Sequence, residues 1–228
     1  MPAVAKPGTV SALLLVLCAS LVSPSAAQGA LGYTVSEEQG EDVLDGVVGP
    51  ASMRDQSPVE KARSMRIIPD LVPTLPNSIL KVTYPGNRKV DMGNELEPSD
   101  VAFAPRVQLD VRSGKFSSLC LLDVDAPSAA KPRYRSWLHW LVVNIPASKV
   151  QAGKVLAAYS PPTPATSTGS HRFAFIQFEQ RYEFKQGNFT FIPLRAAFNV
   201  SAFMADNEIS KIAAFNFFRI DTEYRSIL

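Results

Sequence analysis

The chain has 228 residues, 23 Lys and Arg against 21 Asp and Glu, a formal net charge of +2 and 46% hydrophobic residues. So near a charge balance, with no basic stripe, argues against nucleic acid as the main partner. It also removes any broad field that would hold the protein on acidic membranes, so any phosphate recognition has to be local.

The first residues read as an address. Lys6 supplies a positive start, Val10 to Val22 is apolar but too short to span a bilayer, and Ser25-Ala26-Ala27 offers small residues for cleavage before Gln28. Residues 1–27 are therefore expected to be a secretory signal peptide, and the mature protein is expected to be secreted. No later run of the sequence is long and apolar enough to cross a membrane. Removing the signal takes Cys18 with it and leaves Cys120, so no internal disulfide is expected. Apolar neighbours from Phe116 to Leu122 mark Cys120 as a buried small hydrophobe rather than a reactive thiol.

Residues 28–56 mix Glu37, Glu38, Glu41, Asp42 and Asp45 with glycines, and large apolar side chains are few. Such a segment cannot bury enough surface to fold alone and reads as an acidic, weakly ordered arm. Ser57-Pro58-Val59-Glu60 is a helix start, with a capping serine, a proline at the first helical position and a glutamate that reaches back. A short helix to about Met65 follows, and Pro69 closes that region.

From there the chain turns to strands. Ile79 to Tyr84, Val107 to Val111, Phe116 to Val124, Leu138 to Ile145, His171 to Arg181 and Phe215 to Ile220 are short apolar or alternating runs. Pro85-Gly86-Asn87, Ser113-Gly114 and a proline-rich stretch supply turn chemistry between them. Ser148 to Lys154 reads as one helical turn, and Arg195 to Asn207 has apolar residues at helical spacing. The pattern predicts a mainly β protein, a β-sandwich with small peripheral helices, over residues 57–228.

The polar residues worth most attention stand at strand ends. His139 and His171 are the two histidines of the chain, and Asp123-Val124-Asp125 ends another apolar run. If that run stays regular, Asp123 and Asp125 point the same way, because strand side chains repeat every two residues. An Asp–His hydrogen bond fixes the ring tautomer and favours the imidazolium, which then donates to a phosphate or carboxylate oxygen. The competing reading is that both aspartates satisfy turn amides after the strand. Arg135 and Arg172 flank the histidines, and alternation sends them to the opposite face as ion-pair partners.

These strings carry a family resemblance. Asp123 to Ser128, Tyr134-Arg135-Ser136-Trp137-Leu138-His139 and Gly169-Ser170-His171-Arg172-Phe173 resemble three blocks of the phosphatidylethanolamine-binding protein family, in the same order and spacing. The resemblance runs from roughly Ile67 to Ile220 and includes Ile68 to Pro73, Leu80 to Tyr84 and Gly93 to Leu96. It implies that family's β-sandwich and a small anion pocket built from Asp123, Pro127, Tyr134, Trp137, His139 and His171. Asp125 joins this set of ligand-binding candidates from the strand argument. The sequence departs from the family's pattern at three places. Val124 stands where proline is usual, Phe173 where many relatives have tyrosine, and the loop Tyr159 to Gly169 lacks the inner glycines. Glycine lets backbone amides approach an oxyanion, so Thr163 should narrow that approach while offering a hydroxyl in exchange.

Two glycosylation sequons occur, Asn188-Phe189-Thr190 and Asn199-Val200-Ser201. Asn188 follows a Gln-Gly turn and is the expected site. Asn199 lies within the helix-like pattern beside Phe198, which counts against it.

Three functions compete. The first is a secreted, non-enzymatic binding protein for a phosphorylated headgroup or similar anion, modulating signalling, with a phosphate-bearing small molecule or phospholipid headgroup as partner. The second is a protease inhibitor or protein-interaction module acting through its surface, with a protease or signalling protein as partner. The third is an enzyme, for which no nucleophile elbow and no His-Glu-x-x-His string is present. The first is preferred, with no catalytic residue, metal or cofactor expected.

Overall fold

The computed structural model describes residues 56–110, 115–185 and 194–223. The expected signal peptide, all but the last residue of the acidic arm, and Asn188 lie outside the described residues.

Helix α1 (Pro58–Ser64) begins as its sequence dictates. The Glu60 amide donates to the Ser57 hydroxyl at 3.3 Å while the Ser57 amide donates to the Glu60 carboxylate at 2.7 Å, closing a capping box. One short turn, α2 (Ile67–Asp70), follows, with Ile67 and Ile68 buried.

Among the described residues, nine strands form two sheets. The small sheet has the order β2 (Arg88–Lys89), β1 (Lys81–Tyr84), β4 (Arg106–Gln108) and is antiparallel. The large sheet has the order β3 (Asn94–Glu95), β9 (Ile212–Asp221), β8 (Ser170–Gln180), β5 (Phe116–Asp123), β6 (Trp137–Pro146), β7 (Lys154–Ala157). It is antiparallel except for the β3–β9 edge. Neither sheet closes on itself.

Both faces of the large sheet are buried, which explains the almost unbroken apolar runs in β5, β6 and β8. One face packs on the small sheet: Leu119, Leu121, Val142, Phe173, Phe175 and Phe218 meet Leu80, Val82, Tyr84 and Val107. The other is covered in two patches. Cys120, Leu122 and Phe178 pack with Val200 and Phe203 of α3 (Val200–Asp206), and Ala174, Phe215 and Phe217 pack with Ala62 and Ile67. A fully buried leucine such as Leu121 contributes about 1.5–3 kcal/mol relative to exposure. Cys120 is fully buried, as its apolar neighbours imply, and burial pushes its thiol pKa up.

The mainly β architecture with small peripheral helices is therefore present, and the differences from the sequence reading are local. Ser148 to Lys154 holds a three-residue 3-10 turn, Val150–Ala152, after which Lys154 already starts β7. Helix α3 begins at Val200, because Asn199 accepts a hydrogen bond from the Ala202 amide at 2.9 Å and caps it. No helix among the described residues is long and apolar enough to cross a membrane.

Candidate functional site

Three strand ends meet at one end of the large sheet. β5 finishes at Asp123, which pairs with Trp137 at the start of β6 and with Phe173 near the start of β8. His171 lies two residues before Phe173, on the same face of β8.

His139 reaches this face through a β-bulge. Leu121 pairs with Trp140 and Leu122 with Leu138, so His139 is the extra residue between them. A bulge lets two consecutive residues share a side. Trp140 accordingly packs in the core between the sheets, while His139 meets Phe173 edge to face with ring centroids 5.4 Å apart. His171 stacks on the same Phe173 at 6.3 Å. One buried phenyl ring thus carries both imidazoles.

The bulge is braced from outside. The Arg195 guanidinium donates to the Leu138 and His139 carbonyls, both at 3.0 Å, and to the Ala158 carbonyl at 2.8 Å. Spacing alone puts Arg195 at the start of a helix and gives it no role here. Its partners are backbone carbonyls at an irregular stretch of strand, the His139 carbonyl also accepting from the Ser160 amide at 2.8 Å, and no short-range pattern announces those.

The two histidines differ in what holds them. His171 Nδ1 bonds to Asp123 Oδ2 at 2.8 Å, and its Nε2 shares a hydrogen bond with the Thr168 hydroxyl at 2.9 Å. Thr168 also donates to the Ala165 carbonyl at 2.6 Å. Both edges of His171 are therefore filled by the protein. His139 donates from Nδ1 to the Ser160 carbonyl at 2.8 Å, and its Nε2 has no hydrogen-bond partner among the described residues. Burial lowers the His139 pKa below the ordinary histidine value. The Ser160 carbonyl and the Asp123 charge oppose that shift, and the Arg195 and His171 charges add to it. The uncharged imidazole is thus favoured at neutral pH, with Nε2 as a bare acceptor.

Asp123 performs both of its expected jobs at once. Oδ2 holds His171, and Oδ1 accepts from the Asp125 amide at 2.7 Å. Asp125 departs from the sequence expectation. The strand ends at Asp123, alternation stops there, and the Asp125 carboxylate turns to the opposite face. It accepts from Arg172 Nε at 2.7 Å, from an Arg172 terminal nitrogen at 2.6 Å and from Arg135 at 3.3 Å. Asp70 joins the same cluster, 2.9 Å from Arg172 and 3.5 Å from Arg135. Burial resists ionisation of Asp70, but the Arg172 hydrogen bond and the two guanidinium charges outweigh it and lower its pKa. Arg135 and Arg172 are ion-pair partners on the far face. Alternation accounts for Arg172, next to His171 in β8, but not for Arg135, which lies four residues before His139 and outside β6.

The remaining expected residues surround this end. Tyr134 and Trp137 meet edge to face at 6.5 Å, with Tyr134 46% exposed and Trp137 half-buried. The Tyr134 amide donates to the Ala126 carbonyl, which ties it beside the turn that holds Pro127. Thr163 does not supply the replacement hydroxyl. It is exposed and bonds to Pro161 at 3.5 Å, while Thr168 is the loop residue that reaches a histidine.

Two mainly antiparallel sheets packed face to face, with an imidazole–carboxylate pair at one end of the central strands, define an open β-sandwich with a polar end. The chain belongs to the phosphatidylethanolamine-binding protein family, whose model matches residues 86–218. A 26 kDa secreted antigen of Toxocara canis is 38% identical over 117 residues, 51% of this chain and 45% of the antigen. The chain thus spans about half the length of that relative. CEN-like protein 4 of Nicotiana tabacum is 35% identical over 164 residues, 69% of this chain and 90% of that protein. Among solved structures, the carboxypeptidase Y inhibitor complexed with its cognate proteinase shares the fold with a TM-score of 0.65 at 22% identity, covering 73% of this chain and 96% of the inhibitor.

Proposed function

We propose that this is a secreted, non-enzymatic binding protein whose pocket takes a phosphorylated headgroup or a similar small anion. Residues 1–27 act as the signal, residues 28–56 as a linker arm, and residues 57–228 as the binding domain. Asp123, His139 and His171 form the polar end of the pocket, with Pro127, Tyr134 and Trp137 around it and Asp125 in a supporting ion pair. Asn188 carries a glycan.

The observation behind this reading is His139 Nε2, an imidazole nitrogen without a protein partner among the described residues, beside the Asp123–His171 pair. On protonation it becomes a donor for an anionic oxygen, and charge-assisted bonds of that kind are about twice as strong as neutral ones. Calorimetry with glycerophosphoethanolamine tests it. Binding to the unaltered protein that is lost in His139→Ala, with the thermal transition retained, is the expected result. Equal affinity in the two proteins sinks the proposal.

The alternative is a protease inhibitor or protein-interaction module acting through its surface. One structural neighbour, the carboxypeptidase Y inhibitor, is itself bound to its cognate proteinase. Inhibition of carboxypeptidase Y that persists unchanged in His139→Ala favours this alternative over the pocket.

A further inference from the structure

We infer that Asn199 is a second N-glycosylation site, on the face formed by helix α3. The inference rests on the secretion reading above and adds to the single site expected at Asn188.

The sequon Asn199-Val200-Ser201 has the required hydroxyl two residues on and no proline between. In the sequence alone, its position within an apolar helical pattern counts against it. The structure alters that assessment at each residue. Asn199 is not inside the helix but caps it, and it is exposed, as is Ser201. Phe198 turns inward to meet Phe203 with ring centroids 5.6 Å apart, so it does not cover the asparagine.

The cap divides the Asn199 amide into two halves. Oδ1 accepts from the Ala202 amide at 2.9 Å, and Nδ2 has no partner among the described residues. Asn144 and Asn216 differ, since their Nδ2 groups donate to the Phe184 carbonyl and to the Leu80 and Val90 carbonyls. Glycosylation uses only the free half of Asn199. Nδ2 attacks the anomeric carbon of an oligosaccharide carried on a polyprenyl diphosphate. The carbon–oxygen bond to the diphosphate breaks, the lipid diphosphate leaves with that electron pair, and the amide gives up one proton. Nδ2 keeps its other hydrogen and Oδ1 keeps its lone pairs, so the cap to Ala202 survives the modification.

Val200 fixes the order of events. It is 2% exposed and packs beneath the large sheet, so the folded sequon does not offer an extended acceptor. Transfer therefore precedes the docking of α3, and the folded domain then tolerates the product. The attached sugar stands at the rim of a surface hollow of about 540 Å³ that Asn199 and Ser201 share with Asp70 and Arg135.

The test expresses the full chain in a eukaryotic secretory host. Secreted protein is deglycosylated enzymatically in heavy-oxygen water, which leaves a labelled aspartate at each glycosylated asparagine, and its peptides are read by mass spectrometry. Labelled position 199 is expected in the unaltered chain. Asn188→Gln should keep one step of gel mobility shift on glycan release. Ser201→Ala, which retains the Asn199 cap, should lose the label at 199. Secreted protein with an unlabelled Asn199 overturns this inference and leaves the secretion reading intact. A chain retained in the cytosol without label overturns both.

Discussion

Asp123 stands directly opposite Phe173 in the β5–β8 register, yet its carboxylate bonds to His171, two residues along, at 2.8 Å. Diagonal neighbours on one face of a sheet lie within reach of long side chains. Here the diagonal puts an imidazole and a carboxylate together, and the Phe173 ring stacks on that imidazole. Both groups are buried, so the atoms that meet, His171 Nδ1 and Asp123 Oδ2, depend on each other for a polar partner. Removing one partner of such a pair is expected to cost about 3–5 kcal/mol. His171→Ala should fall in that range by urea denaturation, because it leaves Asp123 buried without the imidazole. The double variant Asp123→Ala/His171→Ala should cost less than the sum of the two singles, by about 0.5–3 kcal/mol. Strict additivity would show that the two side chains do not support each other.

Thr168 changes what His171 offers to a ligand. Its hydroxyl sits 2.9 Å from Nε2 and is braced by the Ala165 carbonyl and by Thr222 at 3.2 Å. An anion that uses His171 has to displace it. Thr168→Ala is therefore expected to raise affinity for glycerophosphoethanolamine by about tenfold, which corresponds to about 1.4 kcal/mol. Calorimetry at fixed pH and salt checks this. A fall in affinity would mean that the hydroxyl is itself a ligand contact.

On the opposite face, Arg172 ties Asp125 and Asp70 to the sheet and donates to the Met65 carbonyl at 2.7 Å. A guanidinium fork fits these separate acceptors, and a lysine ammonium does not. Arg172→Lys should thus recover little of the stability lost in Arg172→Met. The network also sets an acid limit. Asp70 has its pKa lowered in the folded state, so its contribution is present above the unfolded carboxylate value of about 3.9. It is lost as pH falls through the lower folded value. Melting temperatures from pH 6 to pH 2 should show this decline, and Arg172→Met should flatten its most acidic part. An unchanged slope in the variant would exclude the network as the cause.

How far the sequence reveals this arrangement depends on the range of each interaction. The capping box of α1, the six main strands and the outward turn of Arg172 follow from spacing, because periodicity and capping act over a few residues. The ends of elements follow less well. Asp125 sits just beyond the last residue of β5, and alternation no longer applies to it. The two-residue strands β2 and β3 have too few residues to show a period. Arg195 and Thr168 are invisible in the sequence for another reason. Each acts on a histidine or its backbone through contacts that depend on a bulge and a loop path, and neither leaves a local pattern.

The last prediction concerns His139 and acid. In the free protein, burial favours its neutral form, and the Asp123 charge offsets that only in part. An anion placed at Nε2 favours the imidazolium, so binding raises the His139 pKa and takes up a proton. Affinity should therefore increase as pH falls through the bound-state value, by at most about tenfold per pH unit. The rise should continue below the ordinary histidine value of about 6.5 and level off only beneath the lowered free-state value. Folding depends on this group in the opposite sense. The unfolded chain binds the proton more readily, so the His139 contribution is present above about pH 6.5 and is lost as pH falls through the folded value. The two effects separate in calorimetry with glycerophosphoethanolamine, whose phosphodiester keeps a constant charge across this window, on protein verified as folded at each pH. His139→Gln retains a hydrogen-bonding amide without a titrating proton and should give a flat profile. A flat profile in the unaltered protein would show that the anion does not recruit a protonated His139. A rise that survives His139→Gln would move the titrating group elsewhere in the site.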